Sequence, residues 1–364
     1  MADIETALKK RIQEGTLRAL TPVSRRKENK IIINNKSYID FSSNDYLGLS
    51  QHPKLIAASR AAITEFGTSV SASRLLSGDL ELFHKLEKEI AEFKNKEAAL
   101  VFNSGYQANT GIISALYGKA DCIFSDRLNH ASLVDGIILS GAKLFRFQHN
   151  DVDHLGSLIK KERLNFKKAL IITESVFSMD GDKAPLKEIV PLKEKYDCEI
   201  FVDEAHATGI FGSNGSGLAE EAGVTGKIDY IMGTFSKALG SFGAYLATSR
   251  KLVDYLINTC RSFIYSTALP PAVIAANLAS IELVKVEPER REKILKLSEY
   301  FRTALLKEGF QVKGCSQIVP LIVGDNLRAV DLAKKLQAAG FWVLPIRPPT
   351  VPKGEARLRF CLNY

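Results

Sequence analysis

Between about residues 50 and 250 the hydrophobic pattern alternates between two rhythms. Pro53 to Phe66 and Leu80 to Phe93 carry apolar residues at helical spacing. Between and after them lie short, nearly continuous apolar runs: Ala98-Ala-Leu-Val-Phe102, Cys122-Ile-Phe124, Leu144-Phe-Arg-Phe147, Leu170-Ile-Ile-Thr173, Glu199 to Asp203 and Tyr230-Ile-Met. Runs of that length without polar alternation predict strands buried on both faces. Strands that alternate with helices predict an α/β fold with a mostly parallel central sheet and helices on both faces. In such sheets ligands sit beyond the carboxyl ends of the strands.

The flanking regions follow other patterns. Residues 1–30 begin as an amphipathic helix and end in a basic turn, Ser24-Arg-Arg-Lys. Ile31 to Phe41 reads as a hairpin, because Asn34-Asn35 tolerates the positive φ angles of a tight turn. After Ser266-Thr-Ala-Leu-Pro-Pro271 a long helical region runs from Ala272 to Lys307, and short strands with one helix follow. The expected division is an N-terminal segment 1–41, a large domain 42–271, and a connecting helix with a smaller α+β domain over 272–364. No internal repeat and no low-complexity linker interrupts it, so tight packing of the domains is expected.

Composition narrows the class. With 46% hydrophobic and 25% charged residues, the 364-residue chain is ordinary globular protein. No stretch approaches the length of a membrane span. The charged start, Met1-Ala-Asp-Ile-Glu-Thr, lacks the apolar core of a secretory signal. Five scattered cysteines form no CxxC pair and no zinc spacing, which implies free thiols in a reducing cytoplasm and no metal site. The net charge of +8 is dispersed, as in Lys160-Lys161 and Arg290-Arg291, without a basic-aromatic recognition motif. It implies a solvated basic surface, or attraction to an anionic substrate such as a CoA ester, and no nucleic-acid partner.

The polar clusters lie just after strand ends. Lys237 stands among small residues in Gly233-Thr-Phe-Ser-Lys-Ala-Leu-Gly240, and Asp203-Glu-Ala-His206 ends another strand. Read alone, Lys237 is a surface residue and Asp203 a turn carboxylate. Together they supply what an aldehyde cofactor held as a Schiff base requires: an amine to carry it and a carboxylate to keep its ring nitrogen protonated. Pyridoxal phosphate (PLP) is therefore the expected cofactor. His206 suits its phenolic oxygen, as does Ser178 in Glu174-Ser-Val-Phe-Ser-Met-Asp-Gly. His130, in Asn129-His-Ala-Ser132, suits a flat partner for the ring, an acid or base, or a plain core position. Asn103-Ser-Gly-Tyr106 opens an apparent helix from Gln107, where backbone N–H groups suit a phosphate; Gly105 allows close approach and Tyr106 can pack on the ring. Thr234 and Ser236 add hydroxyls. Neither GxxxxGK[ST] nor a GxGxxG after a strand occurs, which disfavours nucleotide hydrolysis and dinucleotide binding. Arg357 and Arg359 alternate in Ala356-Arg-Leu-Arg-Phe and so share a strand face, either as a solvated surface or as a grip on a carboxylate.

In chain order, Ser42-Ser-Asn-Asp-Tyr-Leu-Gly-Leu49, Ser73-Arg-Leu-Leu-Ser-Gly78, Asn129-His-Ala-Ser132, Glu174 to Asp182, Asp203-Glu-Ala-His206, Thr234-Phe-Ser-Lys237 and Phe263 to Pro271 resemble the α-oxoamine synthase family. The resemblance runs from about residue 15 to Tyr364. It implies the fold-type I PLP-dependent transferase (aspartate-aminotransferase-like) architecture, a cytoplasmic homodimer and active sites at its interface. Arg347-Pro-Pro-Thr-Val-Pro-Lys-Gly354 with Ala356 to Arg359 is most like a member that condenses L-alanine with a pimeloyl thioester, of CoA or of a carrier protein. Lys237 is then the cofactor lysine and the base at the α-carbon. Asp203 pairs with the ring nitrogen, His130 stacks, His206 and Ser178 bond the phenolic oxygen, and Gly105, Tyr106 and Thr234 hold the phosphate. Arg357 takes the amino-acid carboxylate and Arg18 lies near the acyl substrate. Glycine C-acetyltransferase is the sibling alternative; an aminotransferase and a non-catalytic partner subunit are the others. Gly67-Thr-Ser-Val-Ser-Ala is bulkier than the family's glycine-rich segment, which would alter a substrate-facing loop. Relatives usually continue through another helix past the position of Tyr364, and ending there would expose an edge of the small domain.

Overall fold

The computed structural model describes residues 2–364. Helix α1 (Ala2–Gln13) carries acidic residues in its first turn and basic ones in its last, matching the helix dipole. Strands β2 (Lys30–Ile33) and β3 (Lys36–Asp40) form the expected hairpin, with Asn34 and Asn35 at φ of 49° and 61°. The basic segment expected as a turn is instead a third strand, β1 (Arg25–Lys27), paired antiparallel with β2. Positive side chains tolerate that role because every residue of β1 is exposed at a sheet edge.

The central sheet contains seven strands: β4 (Ala98–Phe102), β5 (Cys122–Asp126), β6 (Lys143–Phe147), β7 (Ala169–Glu174), β8 (Glu199–Asp203), β9 (Tyr230–Thr234) and β10 (Ala244–Thr248). Their order is β4-β10-β9-β8-β7-β5-β6. All neighbouring pairs are parallel except those of β10, which runs antiparallel to β4 and β9. Helices α2 (Pro53–Phe66), α3 (Glu81–Phe93), α4 (Gly105–Leu116) and α5 (Ala131–Ser140) surround it. One face packs Leu100, Ile123, Ile172, Phe201 and Met232 against Ile112, Ile113, Leu133 and Ile137 of α4 and α5. Residues of the other alternation, such as Val101, Ile171, Val202 and Tyr245, are equally buried, so both faces are covered.

A buried ion pair anchors the loop after β8. Lys94 Nζ donates to Glu204 Oε2 at 2.7 Å, to Thr208 Oγ1 at 3.0 Å and to the Ser216 carbonyl, with both charged side chains 1% exposed. Burial alone would lower the Lys94 pKa; the Glu204 charge reverses the sign and raises it. Glu204 Oε1 also accepts from Ala219 N at 2.8 Å, and a Cβ on Gly217 would strike this carboxylate at 2.1 Å. Lys94→Met leaves Glu204 buried and unpaired, so it should cost about 3–5 kcal/mol in denaturant unfolding. Lys94→Met with Glu204→Leu should recover most of that. A single-variant cost below about 1 kcal/mol would show that the pair does not anchor the loop.

The expected long helix is two helices, Pro271–Val286 and Pro288–Lys307. Pro288 disfavours helical geometry at the preceding residue, and Glu287 lies at φ −120°, ψ 61°. The C-terminal strands are β11 (Ile318–Gly324), β12 (Phe341–Trp342), β13 (Pro345–Ile346) and β14 (Ala356–Cys361). Strand β12 pairs parallel with β3, while β11, β14 and β13 make a separate three-stranded sheet.

The chain forms two compact units that cut across the linear division drawn from sequence. One contains the chain up to Gly48, Ser178–Lys183 and Glu292–Tyr364; the other contains Leu49–Phe177 and Ala184–Arg291. The β3–β12 pairing ties the N-terminal segment to C-terminal residues, a link no local pattern carries. Among the described residues, no helix is long and apolar enough to cross a membrane. All five cysteines are free; burial pushes the Cys122 thiol up to about 12 and Cys198 up to about 11, while Cys315 is exposed.

Candidate active site

Within the unit that holds the central sheet, the carboxyl ends of β8 and β9 and the starts of α4 and α5 carry seven of the expected residues: Asp203, His206, Thr234, Lys237, Gly105, Tyr106 and His130. Asp203 is the last residue of β8 and is 5% exposed. Its Oδ2 accepts from Asn109 Nδ2 at 2.9 Å and its Oδ1 from Ala205 N at 2.9 Å. Among the described residues no lysine or arginine forms an ion pair with it. A carboxylate in this position is held by neutral amides and left short of positive charge. Lys237 Nζ lies 3.0 Å from Nε2 of buried His206. His130 caps α5, and the charges of Asp203, Lys237 and Asp135 all act on it.

Helix α4 begins at Gly105, two residues before the expected start, with Ser104 as its N-cap accepting from Gln107 N at 3.2 Å. The first-turn N–H groups of Gly105 and Tyr106 therefore belong to the helix terminus where a phosphate is favoured. Tyr106 is half-exposed and donates to Asp135 Oδ2. Thr234 ends β9, and its hydroxyl donates to the Gly243 carbonyl at 2.8 Å, with Ser236 N donating to Thr234 Oγ1 at 3.1 Å. These bonds shape the turn that leads to Lys237.

The other unit holds Ser178, Arg357, Arg359 and Arg18. Both strand arginines are buried and they share a face, yet their partners differ. Arg357, 0% exposed, donates to Asp180 Oδ1 at 2.9 Å, to Glu355 Oε2 at 2.8 Å and to the carbonyls of Glu355 and Met179. Two carboxylates thus neutralise it. The Arg357 guanidinium, despite the desolvation of Asp180, also holds that carboxyl below its usual range. Arg359 donates to the Ser178 carbonyl at 2.5 Å, to Asn44 Oδ1 at 3.2 Å, to Tyr46 Oη at 3.2 Å and to Cys361 Sγ. Arg18 donates to Thr350 Oγ1 at 2.8 Å, and Arg347 donates to the carbonyls of Gly15 and Leu17. Partial burial and then the Arg18 charge lower the Arg347 pKa, the mark of two like charges close together.

Sequence reading passed over Asn109, Lys94 and Arg347. Asn109 lies mid-helix in the mixed run Gln107-Ala-Asn-Thr-Gly111, and nothing local marks its contact with Asp203, 94 positions away. Arg347 was visible only as part of a proline-rich motif.

Chemically, a PLP ring fits the donor set of the sheet-bearing unit. Asp203 supplies a buried negative charge that a protonated pyridine nitrogen satisfies, Lys237 an amine, and α4 a helix start for the phosphate.

Comparison with known proteins agrees. The pattern of the aminotransferase class I and II family matches residues 36–363, and this chain belongs to that family. An 8-amino-7-oxononanoate synthase from Geotalea daltonii is 48% identical over 351 residues, 96% of this chain and 89% of that protein. A serine palmitoyltransferase from S. paucimobilis, solved with PLP and myriocin bound, superposes with a TM-score of 0.93 at 32% identity, covering 99% of this chain and 92% of that one. An 8-amino-7-oxononanoate synthase structure from Francisella tularensis gives a TM-score of 0.78 at 31% identity, covering 90% and 92%. The architecture is that of fold-type I PLP enzymes.

Proposed function

We propose that this protein is an 8-amino-7-oxononanoate synthase: a PLP-dependent acyltransferase that condenses L-alanine with a pimeloyl thioester, of CoA or of a carrier protein, in biotin biosynthesis. The observation that carries the reading is Asp203, a buried carboxylate with neutral partners only, in the same unit as Lys237, His206 and His130. The identity to 8-amino-7-oxononanoate synthases along nearly the whole chain supports the substrate pair.

When bound, PLP supplies the aldehyde that takes up the amino group and the electron-poor ring that stabilises negative charge at the α-carbon. The residues do the rest. Asp203 keeps the ring nitrogen protonated. Lys237 Nζ takes the α-proton, and His206, hydrogen-bonded to that amine, orients it. The α-carbon then bonds to the acyl carbon, the thiol leaves, the alanine carboxyl group departs as carbon dioxide, and a proton returns to the α-carbon. Gly105, Tyr106 and Thr234 would hold the phosphate end and His206 the phenolic oxygen. Arg18 and Arg347, like charges side by side, suit the distal carboxylate of the pimeloyl group or the phosphates of CoA. Exposed Leu75, Leu76, Phe242 and Tyr265 support a homodimer, since such side chains favour burial against a second copy. A biosynthetic enzyme of this kind works in the cytoplasm.

The α-carboxylate falls to the Arg357/Arg359 pair. Arg357 was the sequence-based choice, but its charge is spent on Asp180 and Glu355. We therefore assign the role to Arg359. Arg359→Ala should raise the KM for L-alanine about ten- to a hundredfold, the loss of a charge-assisted pair. Arg357→Ala should lower stability with a smaller KM change. The reverse pattern in steady-state kinetics would return the role to Arg357.

The reading is tested by product. Incubation with PLP, carboxyl-labelled L-alanine and pimeloyl-CoA should give labelled carbon dioxide and 8-amino-7-oxononanoate by mass spectrometry. Alanine consumption without carbon dioxide release would contradict it.

A further inference from the structure

His130 is tied to Asp203 by an unbroken hydrogen-bond chain that no step above uses. His130 Nδ1 accepts from Ser132 N at 3.2 Å and lies 2.8 Å from Ser132 Oγ. A backbone N–H can only donate, so Nδ1 carries no proton while this bond is made. The Ser132 hydroxyl must then give its hydrogen to Nδ1 and keep its lone pairs for accepting. What it accepts comes from Asn109 Nδ2 at 2.9 Å. The second hydrogen of the same amide goes to Asp203 Oδ2 at 2.9 Å.

The direction of every bond follows from the charge on Asp203. Turning the Asn109 amide over would set its oxygen against the carboxylate and remove the donor to Ser132. The observed orientation prevails although Asn109 Oδ1 is left buried with no hydrogen-bond partner among the described residues. Both linking side chains are essentially inaccessible to solvent.

We propose that Asn109 and Ser132 are positioning residues that carry the polarity set by Asp203 to His130 and hold its ring as the neutral tautomer with hydrogen on Nε2. This rests on the reading that PLP lies against His130 and Asp203. Two further features act in the same sense. Helix α5 starts immediately after His130, so the positive end of its dipole opposes an imidazolium. Burial lowers the His130 pKa; Asp203 pulls it back up, Lys237 lowers it again and Asp135 raises it, with the net shift downward. A neutral ring can lie flat on a protonated pyridine without like-charge repulsion, and its Nε2–H remains a donor. An imidazolium would lose the bond from Ser132 N, would have to reverse the one with the Ser132 hydroxyl, and would oppose the cofactor's charge.

The test is a two-bond proton–nitrogen correlation spectrum of the PLP-bound protein labelled with nitrogen-15 in its six histidines, recorded across the pH range in which histidine titrates. His130→Gln assigns the resonances. The expected pattern for His130 is the Nε2–H tautomer with no imidazolium at neutral pH. Ser132→Ala should move the Nδ1 resonance and raise the pH at which the ring protonates, and Ser132→Thr should restore both. A His130 carrying hydrogen on Nδ1, an imidazolium at neutral pH, or an Nδ1 resonance unmoved by Ser132→Ala would overturn the proposal. Should either serine variant fail to fold, the tautomer of the parent protein decides alone. Protein that takes up no PLP would sink the functional reading, whereas the tautomer, read on the protein itself, still tests this one.

Discussion

Lys237→Ala should abolish turnover, by about four orders of magnitude or more, and should remove the visible absorption of lysine-bound PLP. The size follows from the residue's two duties. Its amine carries the cofactor, and the same amine, 3.0 Å from His206 Nε2, transfers the proton at the α-carbon. Folding should be little affected, because the Lys237 side chain is only half-buried and lies outside the sheet. The thermal midpoint should therefore stay within a few degrees of the parent. Retained turnover, or an unchanged visible spectrum, would remove this lysine from the chemistry.

Asp203→Asn should keep part of the PLP affinity yet lose about 10²- to 10³-fold in kcat, the scale of losing one preorganised electrostatic partner. An amide cannot hold the ring nitrogen protonated, so the ring withdraws fewer electrons from the α-carbon. The substitution also breaks the chain to His130, because Asn109 Nδ2 then meets an amide that can present either an oxygen or an NH₂ group. PLP titration by absorbance, with kcat measured at saturating cofactor, separates binding from turnover. Near-parental kcat would contradict the ring contact.

Much of this site was legible in the sequence because strand ends are legible. Apolar runs terminating in Asp203 and Thr234 fixed where polar groups emerge, and the structure places Asp203, His206, Lys237 and His130 in one unit. Strand β10 escaped notice because Ala244–Thr248 is short, alanine-rich and preceded by a glycine-rich turn. The division at Pro288 was written in the residue itself, yet helical spacing on both sides masked it. The roles of Arg357 and Arg359 could not be separated by alternation, since both point to one face; the distinction lies in Asp180, far away in sequence. Asn109 and Lys94 are the same kind of case. Their meaning resides in partners 94 and 110 positions away, and only folding brings those partners within reach.

Free-thiol release by the purified protein with PLP tests the central claim most directly, comparing L-alanine plus pimeloyl-CoA with glycine plus acetyl-CoA. Cys315 is the one exposed cysteine among the described residues, so the protein's own background should be about one thiol per chain. The account predicts faster release from alanine and pimeloyl-CoA. Faster release from glycine and acetyl-CoA would contradict it, leaving the fold and the PLP site in place but assigning the chain to the glycine C-acetyltransferase branch.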